Sequence, residues 1–140
     1  MKFFRLTFLW LLICQTLWAD DKLVVVVSPS SGIEEINRED VVNIFLGRYL
    51  QLPSGILAQP VDQPEDETTR ARFYKLLVGK DLPEIRAHWA RLIFSGKTHP
   101  PRQVQSIREM IEMISTRRGA IGYLKRDQVD VRVKVVLGLE

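Results

Sequence analysis

Thiols are almost absent from this chain. Cys14 is the only cysteine among 140 residues. It closes an apolar stretch, Leu6 to Cys14, that follows Lys2 and Arg5. The pattern predicts a secretory signal peptide over residues 1–19, cut after Ala19. The stretch is short for a spanning helix, which needs about 20 apolar residues. Leu17 is larger than the small residue usual before such a cut, so a retained N-terminal anchor is the rival reading. Ile13 is likewise large for the position ahead of a lipid-modified cysteine. Cleavage leaves a single domain, residues 20–140, without a thiol. That excludes disulfides, thiol redox chemistry and a cysteine metal site. The stability of such a domain rests on its apolar core.

Histidine is nearly as scarce. His88 and His99 lie on different elements, and neither has an acidic or thiol partner at ligand spacing. His88 reads as a surface or half-buried structural residue. The serines at 28, 30 and 31 lie in a loop without a glycine-framed nucleophile turn. Ser95-Gly96-Lys97-Thr98 looks like the end of a phosphate loop, but Arg91 stands where that motif needs glycine. A helical pattern also precedes it instead of a strand. No catalytic set and no cofactor are expected, and the chain reads as a non-enzyme. Long basic runs are missing too. The formal charge is +3, and without Lys2 and Arg5 there remain 18 basic side chains against 17 acidic. A nucleic-acid partner is therefore not expected.

What is present is an alternation of strand and helix signals. Leu23 to Val27 is a continuous β-branched run, as in a strand covered on both faces in a parallel sheet. Asn37 caps a helix whose buried face holds Val41, Ile44 and Phe45, and Gly47 stops it. Ile56 to Val61 reads as a second strand weakened by Pro60. Phe73, Leu76 and Leu77 mark the next helix, closed by Gly79. Asp81 and Glu84 open another, with Ile85, Trp89, Leu92 and Ile93 as its apolar stripe. Trp89 and Phe94 read as core, not as ligand-stacking residues. Val104, Ile107, Ile111 and Ile114 line a fourth helix, and Ala120 to Leu124 is a small strand. Val129, Val131, Val133 and Val135 alternate with polar residues, as in a half-exposed edge strand. The sum is an α/β domain, a mixed sheet flanked by helices.

One stretch is chemically conspicuous: Pro64-Glu65-Asp66-Glu67-Thr68-Thr69-Arg70, directly before a helix. A calcium site needs more oxygen ligands at alternating positions and a glycine turn. A helix start has free N–H groups and about half a positive charge, which an outside anion or a local carboxylate can use. Asp66 or Glu65 is well placed to cap it.

Three stretches together resemble the family of phosphate-binding components of phosphate ABC transporters. They are DVVNIFLG at Asp40 to Gly47, HWARLIFSGKTHPPR at His88 to Arg102, and GAIGY at Gly119 to Tyr123. The resemblance sharpens toward short, single-lobe members. It implies a single periplasmic-binding-protein-like lobe, with ligand at strand ends and helix N-termini. It also implies phosphate or another small anion as ligand, and a membrane transporter or sensor protein as partner. Laid against Phe73, the family's Arg-Ser-Asp-Gly-Ser-Gly-Thr loop falls on Gln63 to Thr69. Only Thr69 matches, and Glu65 keeps an acid. Gln63 replaces the arginine, Asp66 and Thr68 the glycines, and Glu67 the serine. The resemblance implies an anion site from Thr68, Thr69, Arg70 and Arg72, with Glu65, Asp66 and Glu67 blocking it. Lost glycines remove close backbone approach. Each added carboxylate about 4 Å from a dianion costs roughly 4 kcal/mol at an effective dielectric constant of about 20. A rival reading has the same lobe as a ligand-free protein-interaction module.

Overall fold

The computed structural model describes residues 21–65 and 68–140. The expected signal peptide, Asp66 and Glu67 lie outside the described residues. Five strands form one mixed sheet: β1 (Leu23–Val27), β2 (Gln59–Asp62), β3 (Arg102–Gln103), β4 (Ala120–Lys125) and β5 (Lys134–Gly138). Their order is β3-β2-β4-β1-β5. Four helices accompany them: α1 (Arg38–Phe45), α2 (Thr68–Val78), α3 (Leu82–Ile93) and α4 (Ile107–Thr116).

Side-chain alternation along β1 explains the layering. Leu23, Val25 and Val27 join Ile121 and Tyr123 in a core with α1, α2 and α3. Val24 and Val26 join Ala120 and Leu124 in a second core against α4. Every β1 residue is therefore fully buried. The valine run is covered on both faces as expected, but its neighbours are not parallel. β4 and β5 both run antiparallel to β1, and the parallel pairs are β2 with β3 and β2 with β4. Helices on both faces demand an all-apolar strand whatever the direction of its neighbours.

Helix boundaries follow local chemistry. Asn37 Oδ1 accepts the Asp40 N–H at 2.7 Å, and Ser106 Oγ accepts that of Glu109 at 3.1 Å. Pro83 stands at the start of α3, where its missing N–H costs nothing. Gly47 ends α1 at φ +77°, and a Cβ there would lie 2.6 Å from the Trp89 ring. The glycine both turns the chain and admits the indole.

Four expectations shift. β5 is an edge strand, but it begins only at Lys134. Asp130 Oδ1 accepts the Arg132 N–H at 2.9 Å, and this turn leaves Val131 97% exposed. The valine alternation before Lys134 thus spans a turn. β2 begins at Gln59, and Leu57 is exposed before it. Phe94 is 94% exposed because α3 ends one residue earlier, so it is not core. Val104 is buried ahead of α4, not on it.

Candidate functional site

The chemically dense part of the molecule lies where β2 ends and α2 begins. Asp62 is the last residue of β2 and is almost completely buried. Four groups donate to its carboxylate. Arg70 Nε reaches Oδ2 at 3.1 Å and the Tyr74 hydroxyl reaches the same atom at 2.7 Å. The Tyr123 hydroxyl donates to Oδ1, as does the Gln63 N–H at 2.9 Å. A buried carboxylate survives only with such partners. Each donor comes from a different piece of sequence: β2 itself, the first and second turns of α2, and β4. Phe73 stacks flat on Tyr123, ring centroids 3.6 Å apart, and fixes the phenol's direction. Gln63 Nε2 donates to the Tyr123 carbonyl at 3.0 Å and ties β2 to β4 once more.

This network fixes the charge states. Burial, then the Asp62 charge, pushes the phenols of Tyr74 and Tyr123 well above their ordinary value. Burial alone would lower the Arg70 guanidinium. Asp62, with smaller help from Tyr74 and Glu65, outweighs it and raises it instead. Arg70 is a fixed cation, only 7% exposed, held from one side. Among the described residues its Nη1 has no hydrogen-bond partner. The nearby carboxylate oxygen is Glu65 Oε1 at 3.7 Å, an ionic contact beyond hydrogen-bond reach.

Beside Arg70 opens a cavity of about 260 Å³ between α2, α3 and the segment 100–103. Ile85, Trp89, Ala90, Ile93, Pro100 and Pro101 form its apolar walls. Asp62, Glu65, Arg70, Tyr74, Arg86 and Gln103 supply the polar ones. Trp89 is buried, and its indole N–H makes no hydrogen bond either. Glu65 reaches into the cation set from its exposed position. Arg86 Nη1 donates to Oε1 at 3.2 Å and Gln103 Nε2 to Oε2 at 3.1 Å. The Gln103 bond first, then the charge of Arg70, holds the Glu65 carboxyl below its ordinary value.

The residues singled out from the sequence do not all converge. Arg70 turns inward to Asp62. Thr69 is buried beside it on the first turn of α2, and Thr68 is exposed. Arg72 points elsewhere: it donates to the Asp21 carbonyl at 2.6 Å and to the Glu140 carboxylate. Sequence reasoning gave no role to Asp62, Tyr74, Arg86 or Gln103. Tyr123 was visible only as the end of GAIGY. Nothing local marks these residues as neighbours, since they lie on five separate elements. His88 is half-buried, with Nε2 2.9 Å from the Leu46 carbonyl, and is structural.

No family model and no curated protein sequence matches the chain. Solved structures do. An ABC-type phosphate transport receptor from Vibrio cholerae superposes with a TM-score of 0.66 at 19% identity, over 83% of this chain and 45% of that one. The fold matches a single periplasmic-binding-protein-like lobe. PstS from Borrelia burgdorferi gives a TM-score of 0.62 at 17% identity, over 83% of this chain and 46% of that one. The chain thus spans less than half the length of these two structures. At such identity the likeness is one of fold, a five-stranded mixed sheet with helices on both faces. No described helix is long and apolar enough to cross a membrane.

Proposed function

We propose that the protein is an exported, non-catalytic single-lobe binding module that recognises a small anion where β2 runs into α2. One observation carries this reading: a buried, permanently charged Arg70 with Nη1 unbonded lines a cavity at the ends of two parallel strands. An unsatisfied buried donor on a cation invites an anion. Thr68 and Thr69 lie on the first turn of α2, two residues and one residue before Arg70, and are not among the residues that line the cavity. Arg72 is engaged by Glu140 and is left out of the site.

The relatives are receptors for phosphate, so phosphate is the first ligand to try. A single lobe offers one wall of a cleft, and Glu65 already stands among its cations. Isothermal titration with phosphate at low salt tests the reading. Micromolar binding would extend it to a transport receptor. Millimolar binding, or none, removes the transport role. No saturable binding of any small anion removes the reading altogether.

A second reading has a separate observation behind it. Tyr49, Leu50 and Leu57 are exposed apolar residues around a surface groove of about 400 Å³. Exposed apolar groups that line a groove suit a protein partner such as a membrane transporter or sensor. A photo-crosslinker at Leu57 should capture such a protein in the periplasm. Recovery of the free chain alone would count against it.

A further inference from the structure

We infer that the α2–α3 cavity takes a small monocarboxylate bearing an apolar or aromatic group, in preference to phosphate. The inference rests on the anion-site reading and narrows its ligand class. The cavity has two unlike kinds of lining. Arg70, Arg86 and Gln103 bring cations and a donor amide, and Ile85, Ile93 and the Pro100-Pro101 pair bring apolar surface. A tetrahedral dianion can use only the first kind. A carboxylate with an apolar body uses both.

The cationic lining already shows which anion fits it. The Glu65 carboxylate lies there with one oxygen on Arg86 and the other on Gln103, and Arg70 Nη1 is 3.7 Å from the first oxygen. The set therefore accommodates a planar anion with two oxygens. Glu65 is tethered by an exposed side chain, 59% accessible, so it can withdraw to water when another carboxylate arrives. It does not satisfy the site, because Arg70 Nη1 and the Trp89 indole N–H remain without hydrogen bonds. An incoming carboxylate that displaces Glu65 meets Arg86, Gln103 and the Arg70 guanidinium. Its apolar group then meets Trp89, Ile85 and the prolines. A phosphate gains less. Its second charge would face Asp62 and Glu65, which also line the cavity. A volume of about 260 Å³ limits the ligand to roughly one ring and its carboxylate arm.

Isothermal titration of the full chain with phenylacetate, acetate and phosphate tests this. Glu65→Gln and Arg86→Gln serve as variants, because both side chains are exposed and neither supports the core. Phenylacetate should bind at least about tenfold more tightly than acetate or phosphate. Its affinity should rise about tenfold in Glu65→Gln, where the resident competitor is gone, and fall about tenfold in Arg86→Gln. Phosphate bound more tightly than phenylacetate would overturn the carboxylate assignment and leave the anion site standing. Phenylacetate binding that neither variant alters would place the ligand elsewhere and overturn the inference. Silence from every anion, in the wild type and in Glu65→Gln, would overturn both the inference and the reading beneath it.

Discussion

Replacing Asp62 by asparagine removes one charge and almost no volume. Its consequence follows from the geometry. Arg70 is buried, and among the described residues its Nε–Oδ2 contact of 3.1 Å to Asp62 is its one hydrogen-bonded ion pair. Glu65, at 3.7 Å and exposed, cannot replace that partner. An uncompensated buried charge costs about 3–5 kcal/mol. The amide NH₂ of asparagine must also face a donor where the carboxylate accepted from Arg70, Tyr74, Tyr123 and the Gln63 N–H. The expected loss is therefore about 4 kcal/mol, a large share of the roughly 5–15 kcal/mol that holds a domain together. Urea unfolding should show a lower midpoint at unchanged slope. The melting temperature should fall by roughly 15 °C for a chain of this size. Asp62→Asn combined with Arg70→Met removes charge and partner together. The pair should lose about 2 kcal/mol less than the sum of the single changes. A cost below about 1 kcal/mol for Asp62→Asn would match a solvated surface pair and refute the buried network.

Other outcomes follow from separate parts of the fold. Gly119→Ala should cost about 3 kcal/mol or more in urea unfolding, because its Cβ would lie 2.0 Å from the Leu57 carbonyl oxygen, which is backbone. Gly122→Ala should cost less, about 1–2 kcal/mol, because its Cβ meets the flexible ends of Met110 and Ile114. Equal costs at the two positions would argue against this packing. The phenols of Tyr74 and Tyr123 are raised in the folded state, so the stability they contribute is complete below pH 10.0 and is lost as pH climbs through their folded values. Ultraviolet titration should find both phenols still protonated past pH 10.0 while the fold persists; ionisation of Tyr74 and Tyr123 near that pH would contradict the network. Glu65 is lowered, so its contribution is complete above pH 4.5 and drains away as pH falls through its folded value. Glu65→Gln should flatten the acid side of the stability curve there, and an unchanged slope would mean that the contacts to Arg86 and Gln103 are not kept in solution.

Much of the fold was legible because its signals are local. Asn37 before Asp40, Asp81 before Glu84 and glycine after α1 and α2 mark helix ends through hydrogen bonds within one turn. The valine run announced a strand covered on both faces, but not the direction of its neighbours, since burial is blind to direction. The alternation from Val129 to Val135 misled because the Asp130–Arg132 turn imitates the period of a strand. The site was half legible. The acidic stretch pointed to the start of α2, and Arg70 and Glu65 do meet there. Asp62, Tyr74, Tyr123, Arg86 and Gln103 complete the arrangement from elements up to 61 residues apart in sequence, as in the bond from Tyr123 to Asp62. Only the folded chain brings them together.

The central claim is that the cavity beside Arg70 is an anion site with an apolar wall. The Trp89 indole N–H reports on it, because Trp89 lines the cavity and its N–H has no hydrogen-bond partner among the described residues. Its resonance in a proton–nitrogen correlation spectrum can be assigned by its loss in Trp89→Phe. Titration with phenylacetate should shift it in a saturable way, together with the Gln103 side-chain amide. An indole and an amide that both stay in place up to saturating anion would contradict the account.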